Sequence, residues 1–325
     1  MSLLALTLGD RYGVGPEIVA RLLEDLPELG TRIVVVGDQD VFERGRRDTG
    51  ATSDYPVVDS LQAAADSSAP WVLLDRPFAA EVTPLGRVSA DAGREVLDTL
   101  AYLADAARKG VIDGIVYAPL NKQAMRLAGH AAGDELDFFR QELAAASSTG
   151  EINILGDVWT SRVTSHVPLR AVGDLITIES VTRGIELLAG ALQRAGKASP
   201  RIAVAALNPH AGEGGAFGTE EIEVITPAVA AAQQRQLRIE GPFPSDTVFP
   251  RAINGAYDGV VTMFHDQGQI ALKMVGLGQG ITLLAGFPVP IATPGHGTAY
   301  DIAGTGKARI EGLKAAVELV ATMGG

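Results

Sequence analysis

At 325 residues and 46% hydrophobic, the chain can bury a substantial core and is long enough for two lobes. Its formal charge of −12 argues against a nucleic-acid or anionic-membrane partner, and the lack of cysteine excludes disulfides and thiolate metal ligands. The opening segment runs straight into a strand pattern with no basic stretch, and no apolar run reaches the ~20 residues of a membrane span. A cytoplasmic protein without a signal peptide is expected.

Leu3 to Leu8 reads as the first strand, and Gly15-Pro16-Glu17 opens a helix running through Leu23. Ile33 to Gly37 and Trp71 to Leu74 are short, continuously apolar strands, the pattern of a parallel sheet covered on both faces. Ser89 to Lys109 is an amphipathic helix with Val96, Leu97, Leu100 and Leu103 on one stripe, followed by a strand at Gly114 to Tyr117. Farther along, a helix opens at Glu179-Ser180 and runs through Arg194, and Arg201 to Leu207 is a strand. Thr219-Glu220-Glu221 starts another helix, with acidic residues suited to its first turn. Gly259 to Phe264 is a strand, Gly276 to Gly286 a glycine-rich apolar loop, and Arg309 to Met323 the closing helix. The alanine-rich stretches Ala144 to Ala146 and Val229 to Ala232 read as helix. Such alternation implies an α/β protein with a doubly wound parallel sheet, and no linker divides it.

His166, His210 and His265 each follow a strand-like run. In a parallel sheet the carboxyl ends of the strands share one edge, where ligands bind, and three imidazoles there would suffice for a catalytic metal with an open position. The alternative for each is an ordinary loop or core histidine. Gly9 to Glu17, between the first strand and first helix, is either an anion-binding turn or a tight turn with proline near the first helical position. His296 to Gly306 is either a backbone cradle for a cofactor or a capped turn. Lys122 and Lys273 lie near a strand end or glycine loop, and Asp246 is either a helix cap or a site carboxylate.

Taken in order, several segments resemble the 4-hydroxythreonine-4-phosphate dehydrogenase family. They are Gly9-Asp10 with Gly13-Val14-Gly15-Pro16-Glu17, Ala118-Pro119-Leu120-Asn121-Lys122, Ser165-His166-Val167-Pro168-Leu169 and Asn208-Pro209-His210-Ala211-Gly212-Glu213. Asp246-Thr247, His265-Asp266-Gln267-Gly268 and His296-Gly297-Thr298-Ala299 complete the series, which spans nearly the whole chain. The resemblance implies an isocitrate/isopropylmalate dehydrogenase-like fold, with two α/β/α lobes flanking an active-site cleft. It places a cofactor-side lobe at residues 1–115 plus 270–325 and a metal, substrate and dimerisation lobe at 116–269. It further implies a homodimer, NAD or NADP, and one divalent metal per site, held by His166, His210 and His265 from both subunits. Zinc is the first expectation, with Mg, Mn, Co or Ni as alternatives. The dinucleotide would lie against Gly9, Asp10, Gly13, Gly278, Gly280, His296, Gly297, Thr298, Ala299 and Asp301, and Lys122 or Asp246 would handle the proton.

The departures from the family bear on substrate. Where phosphate-using members carry Gly-His-Thr-Glu, this chain has Gly133-Asp134-Glu135-Leu136, and His130 is out of register. Downstream of Lys273, Thr282 and Ile291 stand where such members carry Asn and Arg. Losing a guanidinium and gaining two carboxylates disfavours a phosphate dianion. The expected reaction is oxidation of a secondary alcohol β to a carboxylate, with decarboxylation, on a non-phosphorylated hydroxy acid or carboxylated cis-dihydrodiol. The terephthalate dihydrodiol dehydrogenases are one such branch. Asp134, Glu135, Lys273, Thr282, Ile291 and Arg11 would line the substrate, Arg11 as a carboxylate partner or else simply exposed. The alternatives are the vitamin B6 enzyme itself, a phosphate acyltransferase-like transferase, and a metal-dependent hydrolase or lyase without nucleotide.

Overall fold

The computed structural model describes residues 2–24, 26, 30–79, 84–130, 134–145, 148–276 and 280–324. Its strands are β1 (Leu3–Thr7), β2 (Arg32–Gly37), β3 (Val57–Val58), β4 (Trp71–Asp75), β5 (Gly114–Tyr117) and β6 (Gly150–Leu155). They continue with β7 (Val158–Arg162), β8 (Arg201–Ala205), β9 (Arg238–Phe243), β10 (Gly259–Thr262), β11 (Ile281–Ala285) and β12 (Ile291–Pro294). The chain forms two compact units, one of Met1–Ala146, Ile281–Leu283 and Phe287–Gly325, the other of Ser147–Gly280 and Leu284–Gly286. Residues 116–146 thus fall in the first unit.

In the first unit the strand order is β3-β4-β2-β1-β5-β12, every neighbouring pair parallel. Ala5 sits opposite Val34 on one side and Ile115 on the other. The apolar runs of β1, β2 and β5 are buried almost without break, because helices must cover both faces of such a sheet. Helix Ala90–Arg108 begins where Ser89 accepts a hydrogen bond from the Asp91 amide, and it buries Val96, Leu100 and Leu103.

In the second unit the order is β6-β7-β10-β8-β9. β6 and β7 form an antiparallel pair, whereas β7, β10, β8 and β9 run parallel. Helix Ile178–Arg194 starts one turn-residue earlier than expected, because Thr177 and Ser180 form a reciprocal capping box. The helix expected from Thr219 begins as a π turn, Glu221–Ile225, and continues as Thr226–Gln234, which includes Val229 to Ala232.

Two expectations need correction. Within Gly276 to Gly286, Ile281–Ala285 is the buried strand β11, not loop. A short continuous apolar run is what a fully covered strand requires, and the flanking glycines mark its ends. Ala144 is not helical either: helix Glu135–Glu142 has ended, and Ala144 turns at φ 46°. Ala146 lies outside the described residues.

Candidate active site

β7, β10 and β8 are adjacent and parallel, so their carboxyl ends share an edge, and His166, His265 and His210 follow those three ends. His166 has φ 44° in the loop after β7. Arg162, at the strand's end, ties that loop down: its Nε donates to Ser165 Oγ at 2.9 Å and its Nη1 to Asn153 Oδ1 at 2.8 Å, and it pairs with Glu151. His265 opens helix His265–Val275, and its Nδ1 lies 2.7 Å from Asp266 Oδ1. A carboxylate on one ring nitrogen fixes the tautomer and leaves the other nitrogen for a ligand. The His166 and His265 rings are 5.8 Å apart and share a hollow of about 300 Å³ with Thr164, Phe264 and Asp266.

His210 stands differently. From His210 to Gly214 every residue has positive φ, between 44° and 80°, so the chain makes a left-handed turn. That conformation costs an L-residue roughly 1–2 kcal/mol, and His210, Ala211 and Glu213 all bear it. Buried Glu221 anchors the approach, accepting from the Leu207 and Asn208 amides, both at 2.8 Å. His210 lines a second hollow, about 330 Å³, with Asn208, Ser245, Asp246, Phe264 and Gln267. Among the described residues, no three histidines or carboxylates of this one chain group closely enough to hold a metal ion. His166 and His265 come together; His210 and Asp246 come together.

The remaining expected site residues scatter by unit. Lys273 is exposed in the last turn of helix His265–Val275, where a cation suits the helix dipole. Thr282 lies half-buried in β11, Gly280 just ahead of it, and Gly278 falls outside the described residues. Ile291 is fully buried in β12, paired with Ile115, and so is a core residue. Asp134 caps helix Glu135–Glu142 by accepting from the Asp137 amide at 3.1 Å. Glu135 pairs with Lys122 at 3.1 Å. Burial pushes the Tyr117 phenol well above its ordinary range, and the nearby Glu135 and Asp134 add to that.

In the first unit the Gly9 to Glu17 and His296 to Gly306 segments interlock. Gly9 turns at φ 68°, and a Cβ there would fall 2.5 Å from the Pro119 carbonyl oxygen. The Asp10 amide donates to that oxygen at 2.9 Å, and the Val14 amide to Thr298 O at 3.0 Å. Tyr300 donates its hydroxyl to Asp10 Oδ2 at 2.6 Å, and Glu17 Oε2 accepts from the Gly304 and Gly306 amides, both at 3.1 Å. Burial raises the pKa of both Asp10 and Glu17. Gly13 packs directly on Thr298, Ala299 turns at φ 42°, Asp301 is exposed, and His296 directs Nδ1 to Gly297 O. Open space stands where Gly297 would carry a side chain.

Arg11 requires correction where it was expected as an exposed arginine, being largely buried. Its guanidinium donates to Glu95 at 3.1 Å, Asp38 at 3.4 Å and the Phe78 carbonyl at 3.2 Å, with only 13% of the side chain accessible. Two carboxylates of its own chain satisfy it. Burial pushes Glu95 up to about 7 against the opposing pull of Arg11. Sequence reasoning missed Asp38 and Glu95, and the pairings of Glu17 and Tyr300 within the segments it did single out, because each partner is distant in the chain. The signal present was acidic residues inside otherwise apolar segments, which must be paired when buried.

Residues 29–320 match the family model of the pyridoxal phosphate biosynthetic protein PdxA. A D-threonate 4-phosphate dehydrogenase of Bordetella bronchiseptica is 38% identical, over 98% of this chain and 92% of its own. The crystal structure of 4-hydroxythreonine-4-phosphate dehydrogenase from Klebsiella pneumoniae superposes with a TM-score of 0.85 at 34% identity, covering 99% of this chain and 98% of that one. A terephthalate 1,2-cis-dihydrodiol dehydrogenase from Burkholderia xenovorans gives 0.70 at 28%, with the same coverage of both chains. A β-decarboxylating dehydrogenase from Thermococcus kodakarensis, 15% identical with a TM-score of 0.50 over 97% of this chain and 81% of that one, shares the fold. The chain has the isocitrate/isopropylmalate dehydrogenase-like α/β fold, belongs to the PdxA family and is an oxidoreductase.

Proposed function

We propose that the chain is a divalent-metal- and NAD(P)-dependent dehydrogenase that oxidises a secondary alcohol β to a carboxylate, with loss of CO₂. The carrying observation is that three imidazoles follow the ends of three adjacent parallel strands, one of them oriented by a carboxylate. That donor set fits a catalytic metal. When bound, the metal supplies Lewis acidity toward the substrate oxygens, and the nicotinamide accepts hydride. His166, His210 and His265 would hold the metal. Asp246 shares the His210 hollow and is the leading candidate for taking the hydroxyl proton, with Lys122 the alternative. The Gly297 opening and the interlocked Gly9 and Thr298 segments suit close approach of a dinucleotide backbone.

The arrangement of the histidines in two hollows supports a homodimer in which both subunits contribute to each metal. Leu169, Ile270 and Met274 of the second unit are 71%, 62% and 83% exposed, large apolar side chains that a second copy would cover. Among the described residues no helix is long and apolar enough to cross a membrane.

For substrate, the reading is a non-phosphorylated hydroxy acid or carboxylated cis-dihydrodiol. Its support is that Lys122 is already paired with Glu135, beside Asp134, which leaves this neighbourhood acidic. The second reading is a phosphate ester, favoured by the 38% identity to a relative named for a 4-phosphate substrate. Purified protein with NAD⁺ or NADP⁺ and Zn²⁺, Mn²⁺ or Mg²⁺ should oxidise dihydrodiol carboxylates in preference to 4-phosphohydroxythreonine. Efficient turnover of the phosphate ester would select the second reading.

A further inference from the structure

We propose that Gln267 is a positioning residue that holds the His210 loop, the His265 helix and Asp246 in register; this rests on the metal-dependent reading above. Gln267 is the third residue of helix His265–Val275, whose N-cap, Phe264, offers no side-chain hydrogen bond. Its Oε1 reaches back past the N-cap to accept from the Met263 amide at 2.7 Å, tying the helix start to the end of β10. Its Nε2 uses both hydrogens, donating to the Ala206 carbonyl and to Ser245 Oγ, each at 2.7 Å. Ser245 Oγ in turn donates to the same Ala206 carbonyl at 3.1 Å, closing a triangle.

Each corner of that triangle leads to a candidate site residue. Ala206 directly follows β8 and precedes the His210 turn, Ser245 is the neighbour of Asp246, and Gln267 shares a helical turn with His265. One primary amide therefore joins the ends of β8 and β10 to the start of helix Ser245–Ile253. A carboxylate at this position would face the Ala206 carbonyl without a donor, and an apolar side chain would leave the Met263 amide unmatched and the Ala206 carbonyl and Ser245 hydroxyl with only each other. The amide suits the task because it both donates twice and accepts.

The test is Co²⁺ titration of the full-length protein, followed by visible absorption, on wild type, Gln267→Ala, Gln267→Met and His210→Ala. Methionine keeps the length and bulk of glutamine without its hydrogen bonds, so a role in packing alone would be rescued by it. Both Gln267 variants should bind Co²⁺ about 10–100-fold more weakly, with an altered ligand-field spectrum and unchanged far-ultraviolet circular dichroism. Gln267→Met binding Co²⁺ like wild type, while His210→Ala loses it, would overturn the positioning role alone. Wild type that takes up no Co²⁺, or His210→Ala that binds it unchanged, would overturn the metal reading and the proposal together.

Discussion

The loops that follow β1 and β12 in the first unit and those that follow β7, β8 and β10 in the second are held by different chemistry. In the first, buried charges do the holding: Arg11 with Glu95 and Asp38, Asp10 with Tyr300, Glu17 with two glycine amides. In the second, buried Arg162 and Glu221 hold the approaches to His166 and His210, but the β8 and β10 ends are joined by the neutral Gln267 amide, and the turn after Pro209 is left-handed backbone. Charged clasps respond to pH and to loss of a partner, because an unpaired buried charge is costly. A neutral amide and a strained turn respond instead to geometry.

The largest test of that contrast is Arg11→Ala. It leaves Glu95 and Asp38 facing each other without a cation, and should cost about 3–5 kcal/mol in urea unfolding at pH 8. The loss should shrink at pH 6, where Glu95 escapes by taking up a proton. An equal loss at both values would show that the guanidinium acts by packing rather than by charge.

The second test is the pH dependence itself. Glu95 is raised by burial from its ordinary 4.5 to about 7, so between those values the folded state holds a proton the unfolded chain has released. Stability must then fall as pH rises across that window, by about 3 kcal/mol from this group, and stay level above it. Asp10 and Glu17, also raised, act in the same direction. Glu95→Gln should flatten the slope by the Glu95 share, and an unchanged slope in that variant would assign the effect elsewhere.

The smallest effect is expected in the second unit. Ala211 bears φ 53°, and Ala211→Gly removes that strain while adding freedom to the unfolded chain. The two terms nearly cancel, leaving a gain below about 1 kcal/mol in thermal unfolding. A destabilised variant would show that the Ala211 methyl is packed rather than merely tolerated.

The legible part of the sequence was its local periodicity. Gly114–Tyr117 and the stripe of Val96, Leu100 and Leu103 could be read directly, because a covered strand and an amphipathic helix each repeat over few residues. β11 was hidden by the glycines around it. The strand-end placement of the three histidines was also legible, since strand direction in a parallel sheet is shared. Their division between two hollows was not, because it depends on the left-handed turn after Pro209, and six successive residues with positive φ, His210 to Gly215, leave little trace beyond three glycines. Arg11 was misread because its partners, Asp38 and Glu95, lie 27 and 84 residues away. Pairing at that range follows from the fold rather than from neighbouring residues.

Phe264 lines the hollow that contains His166 and His265 and also the one that contains His210 and Asp246. It is a party wall between two rooms, so their widths are not independent properties. A substitution at this one uncharged residue therefore alters the lining of both hollows at once.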